Sequence, residues 1–438
     1  MKKLICAALT AVIFLTGCAY DRGTSGDLLE SSENKSSVSS DYSSSESSFN
    51  KSSSELHEAD SPESGSINND TSEPETFSAK EITDAMGLGW NLGNQLEASI
   101  GGVPSETAWG NPEISGELFA AIKQAGFSTV RIPVSYLSKI GASPNYEIDA
   151  QWLGRVRQVV DLALEQGLFV IINIHADGYY TVDGAWLKCA ENDTAQAEIT
   201  DKLAAVWKQI AERFKDCGER LIFESMNEIF DNTYGAPNPE YYKNLNEYNR
   251  VFVETVRKTG GNNARRWLLI PGWNTNIGYT VGDYGFVIPE DNYCEADKNR
   301  LMISVHFYDP YNFTLDENQW SATTQWGQNA VQNYDGWGQE DYVQEMFAKL
   351  SETFVRRGFP VVIGEFGAQD KSHLDGEFGK YRCYYAVYVV SKAKENGCIP
   401  IYWDNGWNGD FGFGIFDRST LTVTQPELLN AMITAINS

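Results

Sequence analysis

Two glutamates in this 438-residue chain stand where a carboxyl group can do acid–base and nucleophilic work. Glu228 closes the stretch Phe223-Glu224-Ser225-Met226-Asn227-Glu228, and Glu365 lies within Ile363-Gly364-Glu365-Phe366-Gly367. Both mark the end of a short apolar run, the position at which a barrel strand hands its last side chains to a ligand. Two such acids suit cleavage of a glycosidic bond. One carboxyl, kept neutral, protonates the departing oxygen, while an ionised carboxylate on the other face captures the oxocarbenium-like centre. Glu228 reads as acid and base, Glu365 as nucleophile. Side chains about 5–5.5 Å apart would give a retaining reaction.

Polar residues close the other apolar runs as well: Asn91 and Asn94, Arg131, His175, Asn227, Trp273, His306 with Tyr308, and Trp403 with Asp404 and Asn405. Arg131 and Tyr308 can donate hydrogen bonds that hold Glu365 ionised, while His306 and an apolar rim help keep Glu228 protonated. Once Glu365 is esterified its charge is gone, the Glu228 pKa falls, and Glu228 can act as base. Asn227 is placed for a sugar 2-hydroxyl. A pyranose has an apolar face on which indoles stack; Trp109, Trp186, Trp273, Trp326, Trp403 and Trp407 are the candidates, with Trp152, Trp207 and Trp267 assigned to the core. Taken singly, each residue has a plainer explanation. A strand-end glutamate is more often a solvated charge or a helix cap, Arg131 alone would be a structural ion-pair partner, and His306 a satisfied core imidazole. Their coincidence at successive strand ends tips the balance toward a site. The glycines near Gly87 do not fit a dinucleotide fingerprint and there is no P-loop or HExxH motif, so neither cofactor nor metal is expected.

The elements that must position these residues follow from periodicity. Apolar runs at Gly87–Gly93, Phe127–Val134, Leu168–His175, Arg220–Asn227, Trp267–Trp273, Leu301–Tyr308, Val361–Phe366 and Ile399–Asp404 read as strands buried on both faces. Stretches at Gly154–Glu165, Ala195–Lys215, Tyr241–Arg257, Tyr342–Arg356 and Lys380–Lys394 carry apolar residues at helical spacing. Eight strands alternating with helices predict an α/β fold, a (β/α)8 barrel with the site at the C-terminal strand ends. A doubly wound open sheet is the alternative.

Upstream of the barrel the composition changes. Lys2 and Lys3 precede an apolar run from Leu4 to Leu15, too short to span a bilayer, followed by Leu15-Thr16-Gly17-Cys18. Residues 1–17 read as an export signal, 18–78 as a Ser-rich, acidic, disordered linker that cannot bury enough apolar surface to fold, and 79–438 as the barrel. The net charge is −26, roughly −10 of it between Ala19 and Phe77. Such acidity disfavours nucleic acid and suits a neutral substrate. Cys189, Cys217, Cys294, Cys383 and Cys398 show no CxxC spacing, and read as buried thiols with at most one bridge.

Gly89-Trp90-Asn91-Leu92-Gly93-Asn94, Val130-Arg131-Ile132-Pro133-Val134, Ile172-Asn173-Ile174-His175, Ser304-Val305-His306-Phe307-Tyr308 and Tyr402-Trp403-Asp404-Asn405-Gly406, with the two glutamate motifs, resemble glycoside hydrolase family 5. Glu106-Thr107-Ala108-Trp109-Gly110-Asn111-Pro112 is similar to the bacterial subfamily 4 endoglucanases. The resemblance implies a retaining β-1,4-glucanase without metal or cofactor, with Glu228 and Glu365 catalytic. It implies substrate contacts from Arg131, His175, Asn227, His306, Tyr308 and Trp403, and Asn91 and Trp109 join them as candidates. Leu-Thr-Gly-Cys resembles a lipobox, implying lipidation at Cys18 and a monomeric enzyme tethered outside a bacterial membrane. One departure stands out. Many relatives carry His-His after the third strand, whereas Ala176 follows His175 here, leaving Asp177 and Tyr179 as the candidates to compensate. A mannanase or xylanase on the same scaffold, or a glucan-capturing lipoprotein without catalysis, are the competing readings.

Overall fold

The apolar runs become eight parallel strands: β1 (Gly89–Asn91), β2 (Thr129–Ile132), β3 (Phe169–Ile172), β4 (Leu221–Glu224), β5 (Leu268–Asn276), β6 (Leu301–Phe307), β7 (Val361–Phe366) and β8 (Cys398–Tyr402). They pair in chain order and β8 pairs back onto β1, so the sheet is a closed barrel, not an open doubly wound sheet. The structure is a computed structural model and describes residues 76–296 and 299–438. The export signal, most of the linker and Cys18 lie outside the described residues.

Helices lie between and around these strands: α1 (Ala79–Met86), α2 (Gly116–Gln124), α3 (Ala150–Glu165), α4 (Asp193–Phe214), α5 (Pro239–Lys258), α6 (Glu340–Thr353), α7 (Phe378–Glu395) and α8 (Pro426–Asn437), besides shorter turns. Their starts are chemically marked. Ser78 caps α1 in a reciprocal box with Glu81, and Asp149, Asn192 and Asn238 accept from first-turn amides of α3, α4 and α5. No helix among the described residues is long and apolar enough to cross a membrane.

Side chains alternate across each strand, and the two faces go to different places. Phe169, Ile171, Ile222, Leu269, Met302, Val362, Ile399 and Ile401 form one cluster with Ile82 and Met86 of α1. This is the barrel interior, with α1 packed at its N-terminal end. The intervening strand residues, such as Val170, Ile172, Leu221 and Phe223, join the larger cluster shared with the surrounding helices. Following the interior positions toward the C-terminal ends changes their chemistry. Thr129 leads to Arg131, Ile171 to Asn173, Ile222 to Glu224, and Met302 to Ser304 and His306. The interior is apolar at the bottom and polar at the top.

Strand β7 breaks the alternation on purpose-built geometry. Its register with β6 shifts so that Val305 pairs with Ile363 but His306 with Glu365. The shift turns Glu365 toward the interior, where a regular strand would send it outward. Gly364 makes room for this: a Cβ there would meet His306 Nε2 at 3.2 Å and Arg131 Nε at 3.5 Å.

The five cysteines are all free thiols, so no bridge forms among the described residues. Two tryptophans also depart from expectation. Trp273 and Trp326 are buried packing residues, Trp273 edge-on to Tyr242 and Trp326 donating to Gly338 O. Neither offers a face to a sugar.

Candidate active site

Arg131 is the node of the site. It is fully buried, and its guanidinium donates to Glu224 Oε2 (2.7 Å), Glu365 Oε1 (2.8 Å), Asn91 Oδ1 (3.1 Å) and Asn227 Oδ1 (2.6 Å). Glu224 is the buried counter-ion of this cation, and it also accepts from Asn173 (3.0 Å) and Ser304 (2.6 Å). Two carboxylates thus flank one guanidinium, with donors on the remaining oxygens, which is how ions persist out of water. The sequence reading passed over Glu224. Its signal was there: an acid inside an apolar strand, two residues beyond interior Ile222.

Glu365 Oε2 accepts from Tyr308 (3.0 Å), so each of its oxygens has a donor. His306 Nδ1 lies 2.7 Å from Glu228 Oε1 and 3.6 Å from Glu365 Oε2, between the two acids. An oxygen of each glutamate and the imidazole nitrogen all fall within 4.8 Å of one another. That spacing fits a retaining pair at about 5–5.5 Å and leaves no room for the water that an inverting pair holds at about 6.5–9.5 Å. The same three groups make a poor cation site, because the fixed charge of Arg131 already occupies Glu365.

Burial pushes the Glu365 carboxyl above its ordinary range; His306 and Arg131 pull it back, and Glu228 adds to the rise. Tyr308 and Tyr179 are driven well above the usual phenol value, first by burial and then by the two carboxylates, so both stay protonated as donors. Burial, Arg131 and His306 hold His175 well below the usual imidazole value, keeping its ring neutral. Trp403 is half-buried and lies parallel to that ring, centroids 6.0 Å apart.

The structure therefore brings together Glu228, Glu365, Arg131, His175, Asn227, His306, Tyr308 and Trp403. Two further candidates for substrate contact are hydrogen-bonded to the protein itself. Asn91 is fully buried and donates to Gly364 O and Tyr402 O while accepting from Arg131, so it braces the guanidinium. Trp109 is half-buried, its indole nitrogen donating to Ser99 O, and no contact of its ring reaches the glutamates. Asn227 is fully buried too, with its Nδ2 donating to Tyr179 OH at 2.7 Å. Asp177 does not compensate for Ala176 at the reaction centre. It is a clamp, accepting from the amides of Tyr136 and Leu137 and from Trp186 Nε1. The exposed indoles are Trp407, as expected, and Trp320 and Trp337, which lie in loops without a strand-end signature.

A closed parallel barrel with two carboxylates at its C-terminal rim, one gripped by an arginine and a tyrosine, defines a retaining glycoside hydrolase. Comparison with known proteins gives the family: residues 94–409 match the model for "Cellulase (glycosyl hydrolase family 5)", and the chain belongs to that family. It is 52% identical over 364 residues to Endoglucanase A of Paenibacillus barcinonensis, covering 82% of this chain and 90% of that one. Its fold is similar to a family 5 xyloglucanase from Paenibacillus pabuli, with TM-score 0.79 and 53% identity over 81% of this chain and 99% of that one. It is also similar to a broad-specificity subfamily 4 endoglucanase from Bacteroides salanitronis, with TM-score 0.77 and 42% identity over 83% and 96% of the two chains.

Proposed function

We propose that this chain is an endo-acting β-1,4-glucanase that cuts cellulose, mixed-linkage β-glucan or xyloglucan internally, with Glu365 as nucleophile and Glu228 as acid and base. The observation that carries the reading is the placement of both carboxyls within 4.8 Å, Glu365 held by Arg131 and Tyr308 and Glu228 held by His306. In the first step a Glu365 oxygen bonds to the anomeric carbon as the glycosidic bond breaks, and Glu228 gives its proton to the departing oxygen. In the second, Glu228 takes a proton from water, the water oxygen bonds to the anomeric carbon, and Glu365 leaves as carboxylate. Arg131 and Tyr308 stabilise that carboxylate before attack and after release.

The glucan reading is supported by relatives named as an endoglucanase, a xyloglucanase and a broad-specificity endoglucanase. Its test is digestion of carboxymethylcellulose, barley β-glucan, xyloglucan and mannan. Rapid viscosity loss with a ladder of oligosaccharides from the glucans is expected; release of sugar from mannan alone, or from none of the glucans, would overturn it.

The export and anchoring reading rests on the sequence: Lys2 and Lys3, the apolar run to Leu15 and Leu15-Thr16-Gly17-Cys18. In it, a lipid on Cys18 holds a monomeric enzyme at the outer face of a bacterial membrane, and the polar segment behind it spaces the barrel from the surface.

A further inference from the structure

His306 and Tyr179 both reach Glu228 with a polar atom, and of the two only His306 belongs to the strand-end set. The other is Tyr179, in the loop after β3. Its hydroxyl oxygen accepts from Asn227 Nδ2 at 2.7 Å, which leaves its own hydrogen to donate, and Glu228 Oε2 lies 3.4 Å away. That last bond is long for a hydroxyl, as catalytic bonds often are before substrate closes the site. The loop is built to hold the phenol there. Asp177 pins its turn by three donors, and Gly178 lets the turn press on Ile229, next to Glu228: a Cβ at Gly178 would meet Ile229 Cδ1 at 2.2 Å. The phenol ring packs edge-on to His175, centroids 6.1 Å apart.

The donors run one way. Arg131 Nη2 donates to Asn227 Oδ1, Asn227 Nδ2 to the Tyr179 oxygen, and the Tyr179 hydroxyl to Glu228. Each bond polarises the next, so the guanidinium that grips Glu365 is wired to the other carboxyl as well. Resting on the assignment of Glu228 as acid and base, we propose that Tyr179 is the positioning residue that couples Glu228 to Arg131 in this chain.

The titratable groups facing Glu228 are His306 and Tyr308 from the end of β6, Glu365 of β7, Tyr179 beyond β3 and Tyr234 on its own loop, with Arg131 of β2 as the fixed charge. Among them Tyr179 supplies a donor that favours the carboxylate form. Removing it takes one hydrogen-bond donor away from the ionised form of that carboxyl.

The test is Tyr179→Phe, assayed beside Glu228→Gln as kcat/KM on cellotetraose and on 2,4-dinitrophenyl β-cellobioside, whose leaving group needs no proton. Tyr179→Phe should lose about tenfold on cellotetraose, keep its value on the aryl substrate within about twofold, and move the alkaline limb of the cellotetraose profile up by roughly half to one unit. Retained aryl activity also reports an intact fold. Equal losses on both substrates with an unmoved alkaline limb would reduce Tyr179 to a packing residue and overturn the proposal. Glu228→Gln should lose cellotetraose activity and keep the aryl activity. If it keeps both, the acid and base assignment itself fails, and the role of Tyr179 falls with it.

Discussion

As the proposed nucleophile, Glu365 must be ionised in a place that burial makes hostile to charge. Its carboxyl is raised above the ordinary value of 4.5, with Arg131 and His306 opposing the rise. A nucleophile is lost when it takes a proton, so activity should fall as pH drops through this raised value. The acid limb of kcat/KM is therefore expected above pH 4.5, and a limb below it would contradict the burial argument. The sign for stability is opposite: a carboxyl whose folded pKa is raised stabilises fully below its unfolded value and loses that contribution as pH rises. On the proposed assignment, the ionised form that attacks is the one that weakens the fold. Glu224 serves differently, as the fully buried partner of Arg131. Glu224→Gln should cost about 3 kcal/mol in denaturant unfolding, because it leaves a buried guanidinium short of one counter-charge. Replacing Glu228 or Glu365 with Gln should cut turnover on glucan by about a thousandfold or more, with folding preserved by the matched shape. At this scale the two acids proposed to react were legible in the sequence, because they end apolar runs. It did not show how the supporting residues are held: Asn91 and Asn227, candidates for substrate contact, are both fully buried, Asn91 accepting from Arg131 and Asn227 donating to Tyr179.

Elements decide whether those residues meet. All eight barrel strands were legible as apolar runs, since strands buried on both faces carry no competing periodicity. Helix starts were less legible. The reading placed α3 at Gly154, but Asp149 caps it and it runs from Ala150; Pro239 opens α5 two residues before the predicted Tyr241. Periodicity needs a turn of helix to declare itself, and caps act before it does. The bulge in β7 was invisible, because a register shift depends on the neighbouring strand. The turn before Tyr179 provides an element-scale prediction. Gly178→Ala forces a Cβ against Ile229 at 2.2 Å, and overpacking of this sort costs about 1–3 kcal/mol. Activity on cellotetraose should fall further than stability does, since the turn carries Tyr179 and abuts the Glu228 loop. Thermal unfolding and kcat/KM on one preparation would separate the two effects.

At the scale of the whole molecule, the chain couples an acidic, Ser-rich N-terminal sequence to a barrel whose strand ends carry the two carboxyls. A net charge of −26 keeps it off anionic polymers and favours uncharged polysaccharide. If Cys18 carries the anchor, Cys18→Ala should move the enzyme from the membrane fraction into the medium with its specific activity on β-glucan unchanged; a variant still in the membrane fraction would contradict anchoring at that residue. The barrel was readable from its repeated apolar runs. What the sequence could not supply was the separation of two residues that lie far apart in the chain and meet across the barrel rim. That separation is the basis of the retaining mechanism. Its most direct test is to trap the enzyme with a 2-deoxy-2-fluoro-β-cellobiosyl fluoride, digest it and locate the sugar by mass spectrometry. A single fluorocellobiosyl ester on Glu365 is expected. A label on Glu228, or no covalent adduct with turnover intact, would contradict the account.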